Sequence, residues 1–373
     1  MPDEANVADC PCRSNPVAVS VVVPVYNRSR ELRRLLSALV AQAFPRNVEL
    51  LICDDGSTDD LAAIVAEFEQ RSRFRLVHLR QSNRGAGAAR NLGLAHARGA
   101  IVAFTDSDCE PDANWLAELV RPLRDPRVGI VGGQVDYRTA RHLSGRCVNF
   151  LMSSTLGAAG ARDPRSAVHM KYYPRAGNLA VRRDLANKVG GFPTLAHGED
   201  LEFSHKIMQL GVRAEFAASA TVVHNEQRRW HQVAREAFSK GAARVRLARR
   251  HGMHEVLHAL PALLCVYLAV LCGLGVARPD LMPWCAIPAF LYAAVLGVLS
   301  LQGAFAIGDA RAAMLVPFYA VTIHVGYGLG YLWAWPRAIV TSFFPNAIWR
   351  EAKRHVSPAP PEASPVGRRA TRT

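Results

Sequence analysis

Two aspartates with a fixed spacing carry the first chemical signal in the chain. Asp106 and Asp108 stand in Thr105-Asp106-Ser107-Asp108, directly after the apolar run Gly99-Ala100-Ile101-Val102-Ala103-Phe104. Side chains alternate along a strand, so this spacing turns both carboxylates to one face if the strand continues through Asp108. Neighbouring carboxylates repel unless a positive charge sits between them. A hard divalent cation meets that need, and Mg²⁺ is commonly held by one or two carboxylates together with substrate phosphates. On these four residues alone, a polar strand end with solvated acids and an Asp helix cap is an equal reading. Two further acidic pairs raise the stakes: Asp54-Asp55 follows the apolar run 48–53, and Glu199-Asp200 follows Gly198.

The elements around these pairs decide between the readings. Val17 to Asn27 reads as a buried strand, continuous rather than alternating. Pro24 marks its last part as an edge or a strand end. Ser29 is placed to cap a helix over Arg30 to Ala41, with Leu32, Leu35, Leu36 and Leu39 on one face. Val48 to Cys53 is a second strand, followed by Asp54-Asp55-Gly56-Ser57-Thr58-Asp59 and a helix to about Gln70, capped by Asp59 or Ser57. Phe74 to Leu79 is a third strand, Gly85 to Ala97 a helix of small residues, and Gly99 to Phe104 a fourth strand. This β-α-β-α alternation predicts an α/β fold with a parallel sheet covered by helices. Ligands of such sheets sit at the carboxyl ends of the strands. Asp54, Asp55, Asp106 and Asp108 all fall at such ends, which no single motif would require.

The dinucleotide fingerprint suggested by Gly85-Ala86-Gly87-Ala88-Ala89-Arg90 fails. Arg90 stands where the third glycine belongs, and the run follows the third strand rather than the first. Glu199-Asp200 opens a helix over Leu201 to Gln209. A helix N-terminus holds a carboxylate ionised, and an ionised carboxylate beside a hydroxyl can take its proton. Acids also decorate helix N-termini with no such role.

The order of motifs resembles the family 2 glycosyltransferases with the GT-A fold. The resemblance rests on Val-Pro-Val-Tyr-Asn (23–27), Asp-Asp-Gly-Ser-Thr-Asp (54–59), Asn-Arg-Gly-Ala-Gly-Ala-Ala-Arg-Asn (83–91) and Asp-Ser-Asp (106–108). It continues through Gly-Asn-Leu-Ala-Val-Arg-Arg (177–183), Gly-Gly-Phe (190–192), Gly-Glu-Asp (198–200) and His224, covering roughly Val17 to Gly241. It implies a Rossmann-like, mostly parallel catalytic domain. It implies nucleotide-sugar contacts from Pro24, Tyr26, Asn27, Asp54, Asp55, Asn83, Arg84, Gly85, Arg90, Asp106, Ser107 and Asn178. Within that set, Asp54 and Asp55 are assigned to uracil and ribose, Arg90 to the nucleotide, and Gly177-Asn178 to the sugar pocket. It implies a divalent cation, Mg²⁺ or Mn²⁺, on Asp106 and Asp108, with His224 as either a further ligand or a structural residue. Asp200 becomes the general base and Glu199 an acceptor or positioning contact. Arg228-Arg229-Trp230 is similar to the Q-x-x-R-W motif of processive synthases, but Gln227 is one residue too close.

Composition places this domain at a membrane. The chain has 373 residues and a formal charge of +14. Much of the excess lies in Arg228 to Arg250 and from Arg337 onward, on either side of long apolar segments. Basic clusters beside apolar spans fit an anionic cytoplasmic leaflet, and no RNA-binding signature accompanies them. Val256 to Ala277, Leu281 to Leu301 and Ala312 to Trp335 are each long enough to span a bilayer. His-Val-Gly-Tyr-Gly-Leu-Gly-Tyr-Leu (324–332) is similar to membrane-anchored exopolysaccharide glycosyltransferases. Three spans from a cytosolic domain would put the basic C-terminal tail outside, against the positive-inside tendency. Either one segment is interfacial or re-entrant, or Phe343 to Trp349 adds a membrane element. The eight cysteines form no C-x-x-C pair or zinc spacing, which fits a reducing cytosol, and the N-terminus carries no apolar leader.

The expected organisation is a disordered 1–15, a GT-A domain over 16–240, a basic juxtamembrane segment over 241–254, a transmembrane region over 255–336, and a basic interfacial and disordered tail over 337–373. Residues 139–174 carry no clear pattern beyond a helix at His142 to Ser153, and are expected to face the acceptor. The expected function is transfer of a sugar from a nucleoside diphosphate, UDP foremost, with inversion, to a hydroxyl of a lipid-linked or membrane-proximal glycan. The expected setting is the inner membrane, multi-pass, with the domain facing the cytosol among polysaccharide-assembly proteins. A processive synthase and a non-catalytic membrane scaffold are the alternatives.

Overall fold

The structure is a computed structural model that describes residues 17–136, 142–154, 171–193, 197–224 and 229–343, with side chains as far as Pro336. The expectations for residues 1–15, for Gln227 and Arg228, and for 344–373 lie outside the described residues.

The first half follows the expected alternation. Strand β1 (Val19–Val25), helix α1 (Ser29–Val40), β2 (Val48–Asp54), α2 (Leu61–Glu69), β3 (Arg75–Arg80), α3 (Ala86–His96) and β4 (Ile101–Thr105) succeed one another. All four strands run parallel, with Val19 opposite both Val48 and Ile101. β1 and β2 are buried at every position, as a sheet covered on both faces requires. Pairing of β1 with β4 stops at Val22, while pairing with β2 continues to Val25. Pro24 therefore stands where β1 has lost its second neighbour, and its missing N–H removes no bond to β4. Helix α3 lies close on the sheet: a Cβ on Gly93 would come within 2.4 Å of Val22.

Two capping expectations change. Ser29 is the first residue of α1 and makes no cap; its N–H donates to the Asp59 carboxylate at 3.0 Å. Asp60, not Asp59 or Ser57, caps α2 by accepting from the Ala63 N–H. Asp59 thus ties the second loop to the start of α1.

The second half mixes directions. It comprises β5 (Cys109–Pro111), α4 (Trp115–Val120), β6 (Val128–Asp136), α5 (Leu143–Ser153), β7 (Asn178–Arg182), α6 (Arg183–Lys188), α7 (Glu199–Gln209) and β8 (Arg213–His224). The described strands form one sheet in the order β3-β2-β1-β4-β7-β6-β8-β5, with β7 antiparallel to β4 and β6, and β5 antiparallel to β8. The expectation that β4 continues through Asp108 does not hold. β4 ends at Thr105, opposite Asn178, and a turn closed by the Cys109 N–H on the Asp106 carbonyl carries the chain into β5. The chain must turn there because β5 pairs with β8 at the far edge. Helices α1, α2 and α4 cover one face of the sheet around Leu35, Phe68 and Trp115, and α3, α6 and α7 cover the other around Phe104, Phe192 and Phe203.

Helix α8 (Trp230–His251) leads to three long apolar helices, α9 (Leu260–Ala277), α10 (Ile287–Ile307) and α11 (Ala312–Phe343). By length and hydropathy, Leu260–Ala277, Ile287–Ile307 and Ala312–Pro336 could each cross a membrane. α10 starts six residues after the expected Leu281, with Pro288 in its first turn, where a missing N–H is harmless. The expected boundary at 240 falls inside α8, whose later turns bury Ala242, Ala243, Val245, Leu247 and Ala248. α8 rests on α11 through small residues: a Cβ on Gly241 would lie 2.0 Å from the Tyr327 carbonyl, and one on Gly330 1.9 Å from that of Phe238. Nearer the start of α11, Cys147, Val148 and Leu151 of α5 pack with Val316, Tyr319 and Ala320.

Candidate active site

The carboxyl edge of the parallel strands gathers the acids from three loops. Asp54 ends β2 and is fully buried. One of its oxygens accepts from the Ser57 N–H at 2.7 Å, and the other lies 3.1 Å from the Arg80 guanidinium. Asp55, also buried, accepts from the N–H groups of Arg84 and Gly85 at 2.9 and 2.8 Å and from the Gln81 amide at 2.7 Å. It thereby fixes the loop that enters α3. Gly56 has a φ of +82°, and a Cβ there would meet the Asn83 nitrogen at 2.9 Å, so the two loops touch through a position that only glycine fills well. Asn27, itself at a φ of 50°, accepts from the Thr58 N–H at 2.7 Å and closes the third side. Tyr26, Asn83, Arg84 and Gly85 are exposed around this knot, and Pro24 lies buried beneath it.

The turn after β4 forms a second group. Asp108 forms an ion pair with Arg28 and lies 3.4 Å from Nε2 of His224, the last residue of β8. The carboxylate of Asp108, an imidazole nitrogen of His224 and the Cys109 sulfur all lie within 4.8 Å of one another. Burial, reinforced by Asp106 and Asp108, pushes the Cys109 thiol well above its ordinary pKa. It therefore stays protonated and is a poor ligand for a hard cation. The Asp108 carboxylate suits Mn²⁺ or Mg²⁺ better, and Arg28 already supplies positive charge beside it. Ser107 is buried between the two aspartates. A Cβ on Gly177 would lie 2.9 Å from an Asp106 oxygen, so the Gly177 loop closes against this turn.

Arg90 joins that group to the third acidic pair. Its guanidinium, 6% exposed, donates to Asp106 at 2.8 Å and to Glu199 at 3.0 Å, and lies over the Phe192 ring. Burial alone would raise the Asp106 carboxyl; Arg90, with His224 and Arg28, outweighs it and holds Asp106 below its usual value. Glu199 goes the other way: burial and neighbouring Asp200 raise its pKa despite Arg90. Asp200 is 21% exposed and lies 3.7 Å from Arg175. Both acids sit in the first turn of α7, entered through Gly198 at a φ of +83°.

Asn178 is fully occupied within the fold. It accepts from the Trp115 indole at 2.8 Å and donates to the Gln134 and Ala220 carbonyls, which locks β7 to β6 and β8. The structure thus brings together Asp106, Asp108, His224, Arg90 and Glu199, with Asp200 beside them, and sets Asp54 and Asp55 in the adjoining knot. The sequence reading missed Arg28, Cys109 and Arg175. Arg28 and Cys109 directly follow motif residues, and Arg175 stands two before Gly177, but nothing in their local pattern marks them.

The comparisons agree on one family. Residues 20–158 match the model of "Glycosyl transferase family 2" and residues 101–300, more than half of the chain, that of "Glycosyl transferase family group 2". The chain belongs to the family 2 glycosyltransferases. Glycosyltransferase AglE of Haloferax volcanii is 28% identical over 61% of this chain and 73% of its own length. The pre-mycofactocin glycosyltransferase of Mycobacterium tuberculosis is 33% identical over 62% of this chain and 48% of its own, so the chain spans about half of that relative. Among solved structures, the mannosyltransferase PcManGT from Pyrobaculum calidifontis, in complex with GDP-Man and Mn²⁺, superposes with a TM-score of 0.52 at 22% identity, covering 92% of both chains. The GT-A fold expected from the motifs is therefore present.

Proposed function

We propose that this glycosyltransferase moves a sugar with inversion from a nucleoside diphosphate, UDP foremost, to a hydroxyl of a lipid-linked or membrane-proximal glycan. The observation that carries the reading is the Arg90 bridge, which ties Asp106 to Glu199 and so fixes leaving-group and acceptor sides on one sheet edge. The donor nucleotide lies over the Asp54–Asp55 knot, and its diphosphate reaches Asp106 and Asp108. Asp108 and His224, whose ligand atoms lie close together, would hold a divalent cation with Asp106 beside them, in keeping with the Mn²⁺ of the mannosyltransferase complex. Such an ion, when bound, neutralises charge on a departing diphosphate. The acceptor oxygen attacks the anomeric carbon, the bond to the diphosphate oxygen breaks with its electron pair, and the hydroxyl proton passes to Asp200. Arg175, 3.7 Å away, orients the Asp200 carboxylate for that transfer.

The setting is the inner membrane, with the α/β unit in the cytosol and other polysaccharide-assembly proteins nearby. α11 is held by helices of that unit over part of its length, by α5 at Val316 to Ala320 and by α8 at Gly326 to Gly330. Helices of the cytosolic unit packed along that stretch favour its lying at the interface over its crossing roughly 30 Å of hydrocarbon. An interfacial α11 keeps the basic tail on the cytosolic side, as the positive-inside tendency asks.

The test pairs donor affinity with transfer on one full-length protein. Asp200→Asn keeps shape and removes the proton acceptor, so transfer should fall by about 10²- to 10⁴-fold. UDP-sugar affinity by calorimetry should survive. Loss of both makes Asp200 structural. Transfer at the wild-type rate, with Glu199→Gln inactive, would hand the role to Glu199, whose raised pKa supports that second reading.

A further inference from the structure

Arg28 is a cation of the strand edge to which the transfer chemistry above gives no task. It pairs with Asp108, 80 residues along the chain. Its backbone is pinned on both sides. The Asn27 N–H donates to the Ser57 hydroxyl at 2.9 Å, and the Ser29 N–H donates to Asp59 at 3.0 Å. Arg28 therefore starts in the knot beside Asp54 and Asp55, and its guanidinium ends at the turn after β4. Those are the two places where the donor's nucleotide and diphosphate are proposed to lie.

The partners in this pair are unequally buried. Asp108 is 8% exposed and Arg28 41%. A buried carboxylate needs a counter-charge, whereas a half-exposed guanidinium returns to water at little cost. The pairing is thus required by Asp108 and dispensable for Arg28. A purely structural brace does not explain it, because α1 and the chain after the turn are already joined. Arg34 lies 3.5 Å from Glu110, and Gln42 donates to the Asp112 carbonyl at 2.7 Å and accepts from the Leu116 N–H at 3.0 Å. Two cations draw on the same carboxylate: Arg28, as it pairs in the structure, and a divalent ion, as Asp108 and His224 would hold it. Once parted from Asp108, the guanidinium keeps five N–H donors in a fork that matches phosphate oxygens.

We propose that Arg28 is a displaceable counter-charge, which neutralises Asp108 until a divalent cation takes that carboxylate and then turns to the donor's diphosphate. This rests on the glycosyltransferase reading and the metal assignment above. Cation and donor then depend on each other. Binding of the cation costs the Arg28–Asp108 pair, and the diphosphate gives the parted guanidinium a new partner. Arg28 itself makes and breaks no covalent bond.

Two affinities of the full-length protein test this without turnover: Mn²⁺ alone, by electron paramagnetic resonance, and UDP at saturating Mn²⁺, by calorimetry. Arg28→Gln should bind Mn²⁺ alone about 3- to 10-fold more tightly, because no guanidinium competes for Asp108. It should bind UDP with Mn²⁺ about 10-fold more weakly, because a charged contact to the diphosphate is gone. Arg28→Lys keeps the charge and should return Mn²⁺ affinity toward that of the wild type. Opposite signs in Arg28→Gln are the signature of the exchange. Loss of both affinities would make Arg28 structural and overturn the proposal. Unchanged Mn²⁺ affinity overturns the competition for Asp108, and unchanged UDP affinity overturns the turn to the diphosphate. Absence of Mn²⁺ binding to the wild-type protein overturns the metal assignment and this proposal with it, while sugar transfer by the same protein would leave the glycosyltransferase reading standing.

Discussion

Replacing Arg90 by Met removes the one cation shared by Asp106 and Glu199 and keeps a side chain that fills similar space. Arg90 is 6% exposed, Glu199 15% and Asp106 31%, so solvent screens these pairs only slightly. Breaking a buried ion pair by deleting one partner costs about 3–5 kcal/mol, because the remaining charges stay buried. In a domain of this size, 1 kcal/mol shifts the melting temperature by about 2–4 °C, so Arg90→Met should lower it by roughly 6–20 °C. Adding Asp106→Asn and Glu199→Gln to the same chain should recover much of that loss, since no unpaired charge then remains. Intrinsic fluorescence melts of the three proteins, wild type, Arg90→Met and the triple variant, supply the assay, with nucleotide affinity alongside. If Arg90 acts only by touching the nucleotide, Arg90→Met will lose affinity and keep its melting temperature. A change below about 2 °C would sink the bridge argument.

Two further outcomes follow from the same geometry. Asp108→Asn should cut turnover by roughly 10²-fold or more and weaken Mn²⁺ binding measured by electron paramagnetic resonance; full activity in EDTA would refute the metal assignment. Burial, reinforced by Arg244 and Arg175, keeps His258 neutral when folded down to about pH 3, while the unfolded chain protonates it near 6.5. The unfolded state therefore binds the extra proton between those values, and stability falls as pH drops below about 6.5. His258→Gln lacks this response, so its melting temperature should gain on the wild type between pH 7.5 and 5; a gap independent of pH would contradict the burial argument.

The parallel half of the sheet was legible because β1, β2 and β4 are mostly apolar, mostly buried runs and α1 carries Leu32, Leu35, Leu36 and Leu39 on one face. The knot around Asp55 was not legible in its connections. Asp55 binds the backbone of Arg84 and Gly85, contacts that span some thirty residues and depend on which loops share a sheet edge. The turn at Asp106 defeated a local rule. Alternation predicted two carboxylates on one strand face, but β5 must leave the sheet to pair with β8, and that demand is tertiary. The antiparallel strands β6 and β7 gave only weak signals: β6 contains Gly129, Gly132 and Gly133, and β7 is five residues long. Those glycines are required by close neighbours, since a Cβ on Gly133 would meet the Ala220 carbonyl and the Asn178 amide at 2.4 Å. Arg90 was legible as a site residue, but its partners were not, because Glu199 lies 109 residues away.

The boundary near residue 240 shows how composition can mislead about mechanics. The run from Arg228 to Arg250 is polar by count, so it reads as a linker between a soluble domain and membrane helices. In the fold Trp230 to His251 is one helix whose small residues face α11 and whose Ala243 and Leu247 face Gly198. Those contacts form a chain of rigid elements: α11 seats α8, and α8 seats the first turn of α7, where Glu199 and Asp200 lie. At Gly241 and Gly330 a Cβ would sit about 2 Å from backbone atoms, so the two helices approach as closely as glycine allows and have little freedom to slide. A fragment ending at 240 would cut α8 between these contacts, leaving Gly198 without Ala243 and Leu247. The soluble unit that keeps its acceptor side intact must therefore include α8 to His251. The height of Asp200 above the apolar helices is then set by packing rather than by a flexible tether, which is what an acceptor delivered from the membrane plane would require.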